Sequence, residues 1–136
     1  MHVRLKIVLT ILVTSLAVAC SVFDSGVEWR GGPYSLVWID TAENVSLVRR
    51  LDDGNSIGRV DATVFSVGWD GRYVVAKQHP AGDRKITNYY IVDSHRDSAL
   101  ANVDQSVIGP LTEEAFRKKA RALNLPEFSK TLASLE

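Results

Sequence analysis

Five short runs rich in β-branched and aromatic residues follow one another from Tyr34 to Val92: YSLVWID, VSLVRRL, TVFSVGW, RYVVAKQ and ITNYYIV. Runs of this length and composition read as strands. The segments TAEN, DDGNSIG, DG and HPAGDRK between them carry turn chemistry and are too short for crossover helices. Parallel neighbours need such crossovers. The pattern therefore restricts the chain to antiparallel pairing. The expected fold is α+β: an antiparallel β-meander of about five strands with a C-terminal helix packed on one face.

The sharpest local signal is TVFSVGW-DG-RYVVAKQ. Asp-Gly between two strands favours a two-residue type I′ turn, whose central residues both need positive φ. With Asp70 and Gly71 in the turn, Trp69 faces Arg72, Gly68 faces Tyr73, Val67 faces Val74, Ser66 faces Val75 and Phe65 faces Ala76. Tyr73 then covers Gly68, and Arg72 stacks on Trp69. Strand tryptophans such as Trp38 and Trp69 usually belong to a core. If Trp69 projects from the hairpin tip, then Trp69, Arg72 and Tyr73 make the candidate partner contact, because these residue types are favoured binding anchors.

GPLTEEAFRKKARAL reads as a helix. Thr112 is its N-cap, with Glu113 and Glu114 at the positive end of the dipole. Phe116, Ala120 and Leu123 recur at helical spacing. Asn124 and Pro126 end it near Leu123 or Leu125. A second short helix is expected from Glu127 to Ser134.

At the other end, Arg4 and Lys6 precede the apolar run IVLTILVTSLAVA, and the single cysteine, Cys20, stops it. A basic end, a short apolar core and small residues form a secretory signal. The run is shorter than the roughly 20 apolar residues of a membrane span. AVAC resembles a bacterial lipobox, although Ala17 stands where Leu is commonest. That resemblance implies diacylglycerol on Cys20 and cleavage before it; a conventional signal with an incidental cysteine is the alternative. Residues 1–19 are thus read as a signal peptide, 20–33 as a lipidated N-terminus and glycine-rich tether, and 34–136 as one α+β domain. The expected destination is export and membrane anchoring. By analogy with sorting rules, Ser21 favours the outer membrane, facing the periplasm, in a Gram-negative cell.

Removing residues 1–19 from 136 leaves 117, enough for one domain. It also removes Arg4 and Lys6, so 16 basic and 16 acidic side chains become 14 against 16. This balance offers nucleic acid no basic face. No motif calls for a cofactor or metal: HExxH, a Cys/His cluster, GxSxG and the phosphate loops are all missing. No catalytic residue is assigned. His79, at a strand end, and His95, in DSHRDS, read as exposed or strand-end histidines. Asp93 and Asp97 read as turn residues, and RRLDD as a solvated strand edge.

VGWDGRYVVAKQ, NYYIVD and GPLTEEAF together resemble a family of small bacterial lipoproteins with no assigned activity, the domain-of-unknown-function family 3997. The likeness runs from Val67 to about Leu125, plus the lipobox. It implies a lipid-anchored envelope domain and supplies no catalytic residues. The leading expectation is a non-enzymatic protein held in the membrane through lipid on Cys20. Its partner would be an envelope protein, or an exported hydrolase or toxin that it blocks. The alternatives are a small periplasmic enzyme built from scattered Asp, His and Arg, and a receptor for a small ligand between helix and sheet.

Overall fold

The structure, a computed structural model, describes residues 24–136. Among these, nine strands form two antiparallel sheets, with a few helices. Sheet A has the order β1 (Ser25–Gly31), β2 (Tyr34–Ile39), β3 (Val45–Arg50), β4 (Ser56–Val60). Sheet B has the order β8 (Val107–Leu111), β7 (Asn88–Asp93), β6 (Tyr73–Gln78), β5 (Val64–Trp69), β9 (Lys130–Thr131). The helices are α1 (Val103–Ser106) and α2 (Glu113–Leu123). The five apolar runs became β2, β3, β5, β6 and β7. A single five-strand meander is nevertheless the wrong count and the wrong arrangement. Alternate residues of both sheets, Tyr34, Leu36 and Leu47 from one and Val67, Val74 and Val92 from the other, meet in one core. Neither inner face could be buried by one sheet alone.

The tether expected over residues 20–33 is corrected from Ser25 onward: β1 pairs with β2 from Ser25↔Ile39 to Gly31↔Tyr34. Its glycines make room for bulky neighbours. A Cβ on Gly26 would run into the Trp38 indole, and one on Gly31 into the Trp29 ring. These glycines weaken strand propensity locally, but here they admit two tryptophans to the edge of the core. β4 was hidden in a similar way, inside the apparent turn cluster DDGNSIG and the RV after it.

The central hairpin keeps the expected faces but not the expected register. Val67 pairs with Ala76, Gly68 with Val75 and Trp69 with Val74. The loop residues are Gly71 and Arg72, not Asp70 and Gly71. The cause is the Asp70 carboxylate: Oδ1 accepts the Arg72 and Tyr73 amides at 2.9 and 2.8 Å, so Asp70 closes the strand end. A slip of two residues leaves every side chain on its face, so Val67, Val74 and Ala76 still enter the core. Gly71 has φ +99° and open space around its α-carbon. Gly71→Val is therefore expected to lose about 1 kcal/mol or more through backbone strain alone. Denaturant midpoints measure it, and an unchanged midpoint would refute the strain.

On the outer side of sheet B, Phe116 of α2 stacks on Tyr89 at 4.9 Å and joins Tyr73, Val75 and Ile91 in a second cluster. The Thr112 hydroxyl accepts the Ala115 amide, and Asn124 ends α2 in a left-handed conformation, φ 51° and ψ 55°. The helix expected from Glu127 to Ser134 is replaced by β9 and a short 3-10 turn, Ala133–Leu135. The Ser129 amide donates to Val67 O at 2.9 Å and the Leu132 amide to Phe65 O at 2.7 Å, so the open edge of β5 holds this segment extended.

Candidate functional site

Asp97 is the most heavily engaged polar group. A three-residue 3-10 turn, Ser94–Arg96, follows β7. Asp93 starts that turn by accepting the His95 amide at 3.1 Å, and Asp97 leaves it directed back into the sandwich. Its side chain is fully buried, as is nearly all of Arg59. Arg59 grips it from two nitrogens: Nη2 lies 2.8 Å from Oδ1, and Nε donates to Oδ2 at 3.1 Å. The Tyr34 hydroxyl donates to Oδ2 at 2.7 Å, and Arg49 lies 3.6 Å from the same oxygen. Arg59 also donates to the Ser98 and Ala101 carbonyls.

Burial pushes the Asp97 pKa up, but Arg59, Tyr34 and Arg49 outweigh it and hold the carboxyl below the usual carboxylate range. Burial and the Asp97 charge push the Tyr34 phenol up. Arg59, Tyr34 and Arg49 thus converge on one carboxylate, and Arg59 divides its remaining donors among nearby carbonyls. The cluster ties β2, β3 and β4 to the segment after β7. Turn chemistry was too small a role for Asp97, and Arg49 is drawn inward from the strand edge where solvent was expected.

The candidate contact residues do not form one patch. Trp69 lies half-buried against the inner core, edge-on to Tyr34 at 5.6 Å, where a Cβ on Gly32 would strike it. Tyr73 is buried in the cluster on the opposite face of sheet B. Gly68 is covered by the Glu127 carbonyl instead of Tyr73. Arg72 stacks over Tyr73 at 4.8 Å, not over Trp69, and pairs with Asp93 at 3.2 Å. Of the three, only Arg72 stays exposed at the loop.

His79 sits at the end of β6, as expected, but is buried there rather than exposed. It stacks on Phe65 at 4.1 Å, and Nδ1 lies 2.8 Å from Ile86 O. The adjacent cavity, about 40 Å³, is far below the several hundred Å³ of a substrate pocket. His95 is exposed. Among the described residues no three His, Cys, Asp or Glu side chains gather closely enough to hold a metal.

Four larger concave surfaces lie among the described residues: one of about 410 Å³ beside Asp93, Arg96 and Asp104, one of about 310 Å³ on α2 at Glu113 and Arg117, and two that bear on binding. A groove of about 590 Å³ runs between β4 and β8, with Val60, Tyr90, Val107 and Pro110 as its apolar lining and Asp61 and Asp104 beside them. Val103, 47% exposed, also lines it, and Leu100 just before α1 is 93% exposed. Neither signal was legible in sequence, because β4 and β8 were not recognised as strands. The second surface, about 360 Å³, lies between α2 and sheet B over Tyr89, Phe116 and Phe128. Lys77 Nζ sits 4.6 Å from the Phe128 ring centre, above this floor.

The lipid-attachment residue expected from the sequence, Cys20, lies outside the described residues, as does the expected signal peptide over residues 1–19. Among the described residues no helix is long and apolar enough to cross a membrane.

These observations define, among the described residues, a small two-sheet antiparallel β protein with a buried Arg59–Asp97 cluster and a groove that Arg59 also lines. Comparison with protein families matches residues 31–134 to the protein of unknown function family DUF3997. The chain belongs to that family. Comparison with curated proteins finds no match. Comparison with solved structures finds none either.

Proposed function

We propose that this chain is a lipid-anchored cell-envelope protein that acts by binding another polypeptide, without turnover. The groove between β4 and β8 carries the binding half of this reading. Each of these strands ends its sheet. Terminal strands present backbone donors and acceptors that an extended peptide can pair with. The apolar lining offers pockets for alternate side chains. Asp61 and Asp104 are exposed and have no ion-pair partner among the described residues, so they favour a basic partner segment. The basic start, apolar run and AVAC sequence support the anchoring half. Two acyl chains would hold the protein firmly, whereas one gives marginal binding. An envelope protein, or an exported hydrolase or toxin that is blocked, fits such a role.

The test expresses the full chain beside Leu100→Asp, Val103→Asp and Cys20→Ser. Partners are captured from detergent-solubilised membranes and identified by mass spectrometry. Each Asp variant should stay folded, since both sites are exposed; Val103→Asp, in the lining, should lose roughly tenfold or more in capture, and Leu100→Asp, just outside it, should lose less. Cys20→Ser should lose radiolabelled palmitate and membrane retention. Unchanged capture by both Asp variants refutes the groove, and equal label in Cys20→Ser refutes the anchor. A phenotype lost in His95→Ala with capture intact would favour an enzyme. The cleft over Phe116 and Phe128 supports the second reading, a receptor for a small anionic ligand near Lys77.

A further inference from the structure

We infer that the outward face of sheet A, at the β1–β2 pair, rests on the lipid bilayer. This rests on the anchoring reading above and adds an orientation to it. Along β2, Tyr34, Leu36 and Trp38 point into the core. Val37 and Ile39 therefore point outward. Val27 pairs with Val37, and Ser25 with Ile39, so Val27 shares that outward face. Val27 is 48% exposed and Ile39 49%. The two sheets differ here. The outward residues of sheet B lie in the cluster with Phe116, whereas Val27 and Ile39 on the outward face of β1 and β2 face solvent, and Ser35 of that face is covered, its hydroxyl bonded by Arg50.

The distance to the anchor selects the occupant. Residues 21–24 alone separate Cys20 from Ser25. Five residue steps reach at most about 18 Å when fully extended. β1 itself, at seven residues, is about 23 Å long at 3.3 Å per residue. The loops at its far end, which include Gly32 and the Gly71–Arg72 turn, cannot face the bilayer on so short a leash. The exposed valine and isoleucine of the tethered strand pair can. The groove lies beside β4, at the opposite edge of sheet A from β1, and so stays open to the aqueous side. Asp24, Glu28 and Asp40 are exposed around the apolar residues, outnumbering the exposed Arg30 beside them three to one. Contact therefore comes from burial of Val27 and Ile39, and anionic lipid should not strengthen it.

The test uses the full chain, matured in cells, purified in detergent and reconstituted into phosphatidylcholine vesicles. Acylated Cys20 offers no free thiol, so an introduced cysteine takes an environment-sensitive dye alone. The dye is placed at Ile39→Cys, at Val27→Cys and, as the distant control, at Leu100→Cys. All three sites are exposed, so folding is preserved. The dye at 39 and at 27 should shift to the blue, and doxyl-labelled phosphatidylcholine should quench it roughly twofold more than the dye at 100. A wet, unquenched dye at 39 and 27 on acylated, vesicle-bound protein overturns this inference and leaves the anchor standing. A blue shift without lipid quenching assigns the face to a second copy of the chain and overturns it too. A mass spectrum with no acyl group on Cys20 overturns the anchor, and this orientation with it.

Discussion

Asp97→Ala is expected to cost about 3–5 kcal/mol, because it leaves the Arg59 guanidinium buried without its counter-charge. That is a large fraction of the 5–15 kcal/mol by which domains are typically stable. Arg59 is nearly inaccessible, and Asp97 is its only ion-pair partner among the described residues. Arg49 suffers less, since its side chain is 21% exposed and can turn to water. Chemical denaturation of wild type and variant measures the loss. Replacing the pair together, Arg59→Met with Asp97→Leu, should recover much of it, since apolar substitution of a buried pair is often neutral. A drop below about 1 kcal/mol for Asp97→Ala would mean that the pair is solvated like a surface bridge.

The same carboxylate sets the acid sensitivity. Its folded pKa is depressed. Its contribution is fully present above the unfolded value of about 3.9 and is lost as pH falls through the lower folded value. Asp93 is depressed as well, since Arg72 and the His95 amide outweigh its burial, and it adds to the same window. Wild type should therefore lose stability below about pH 4, and Asp97→Ala should show a shallower slope there. Equal slopes would place the acid-labile group elsewhere.

Gly68→Val is the second large effect, expected at about 3 kcal/mol or more from overpacking and lost backbone bonds. By strand propensity alone the change should help, since valine suits a strand better than glycine. Tertiary contact reverses the sign. A Cβ at this position would land on the Glu127 carbonyl oxygen and 2.9 Å from its carbon, both backbone atoms that cannot rotate away. The segment must lift, which strains the Ser129 and Leu132 amide bonds to β5 and the 2.8 Å contact between the Ser66 and Thr131 hydroxyls. Hydrogen exchange should show lost protection at Ser129 and Leu132. Full protection at both amides, with an unchanged midpoint, would show that the carbonyl does not seal Gly68.

What was legible in the sequence acts over a few residues. β2, β3, β5, β6 and β7 announced themselves by β-branched and aromatic runs, and α2 by the Thr112 cap and the Asn124 stop. The faces of the central hairpin were correct because alternation survives a slip of two. The register was not, because the Asp70 side chain, and not the Asp-Gly pair, closes the loop. Family membership was legible too, since its motifs lie along the best-patterned stretch.

The tertiary structure decided the rest. β1 looked like a tether because its glycines break the local pattern; their purpose appears only when Trp38 and Trp29 lie across them. β9 exists because the edge of β5 offers it partners some 65 positions away. Asp97 looked like a turn residue, and its charge is matched by Arg59, Tyr34 and Arg49, which lie 38, 63 and 48 positions earlier in the chain. Backbone periodicity and capping are local interactions, and a sequence displays them directly. Which edge a weak strand joins, and which charges share a low-dielectric interior, depend on distances that exist only after the chain has closed on itself.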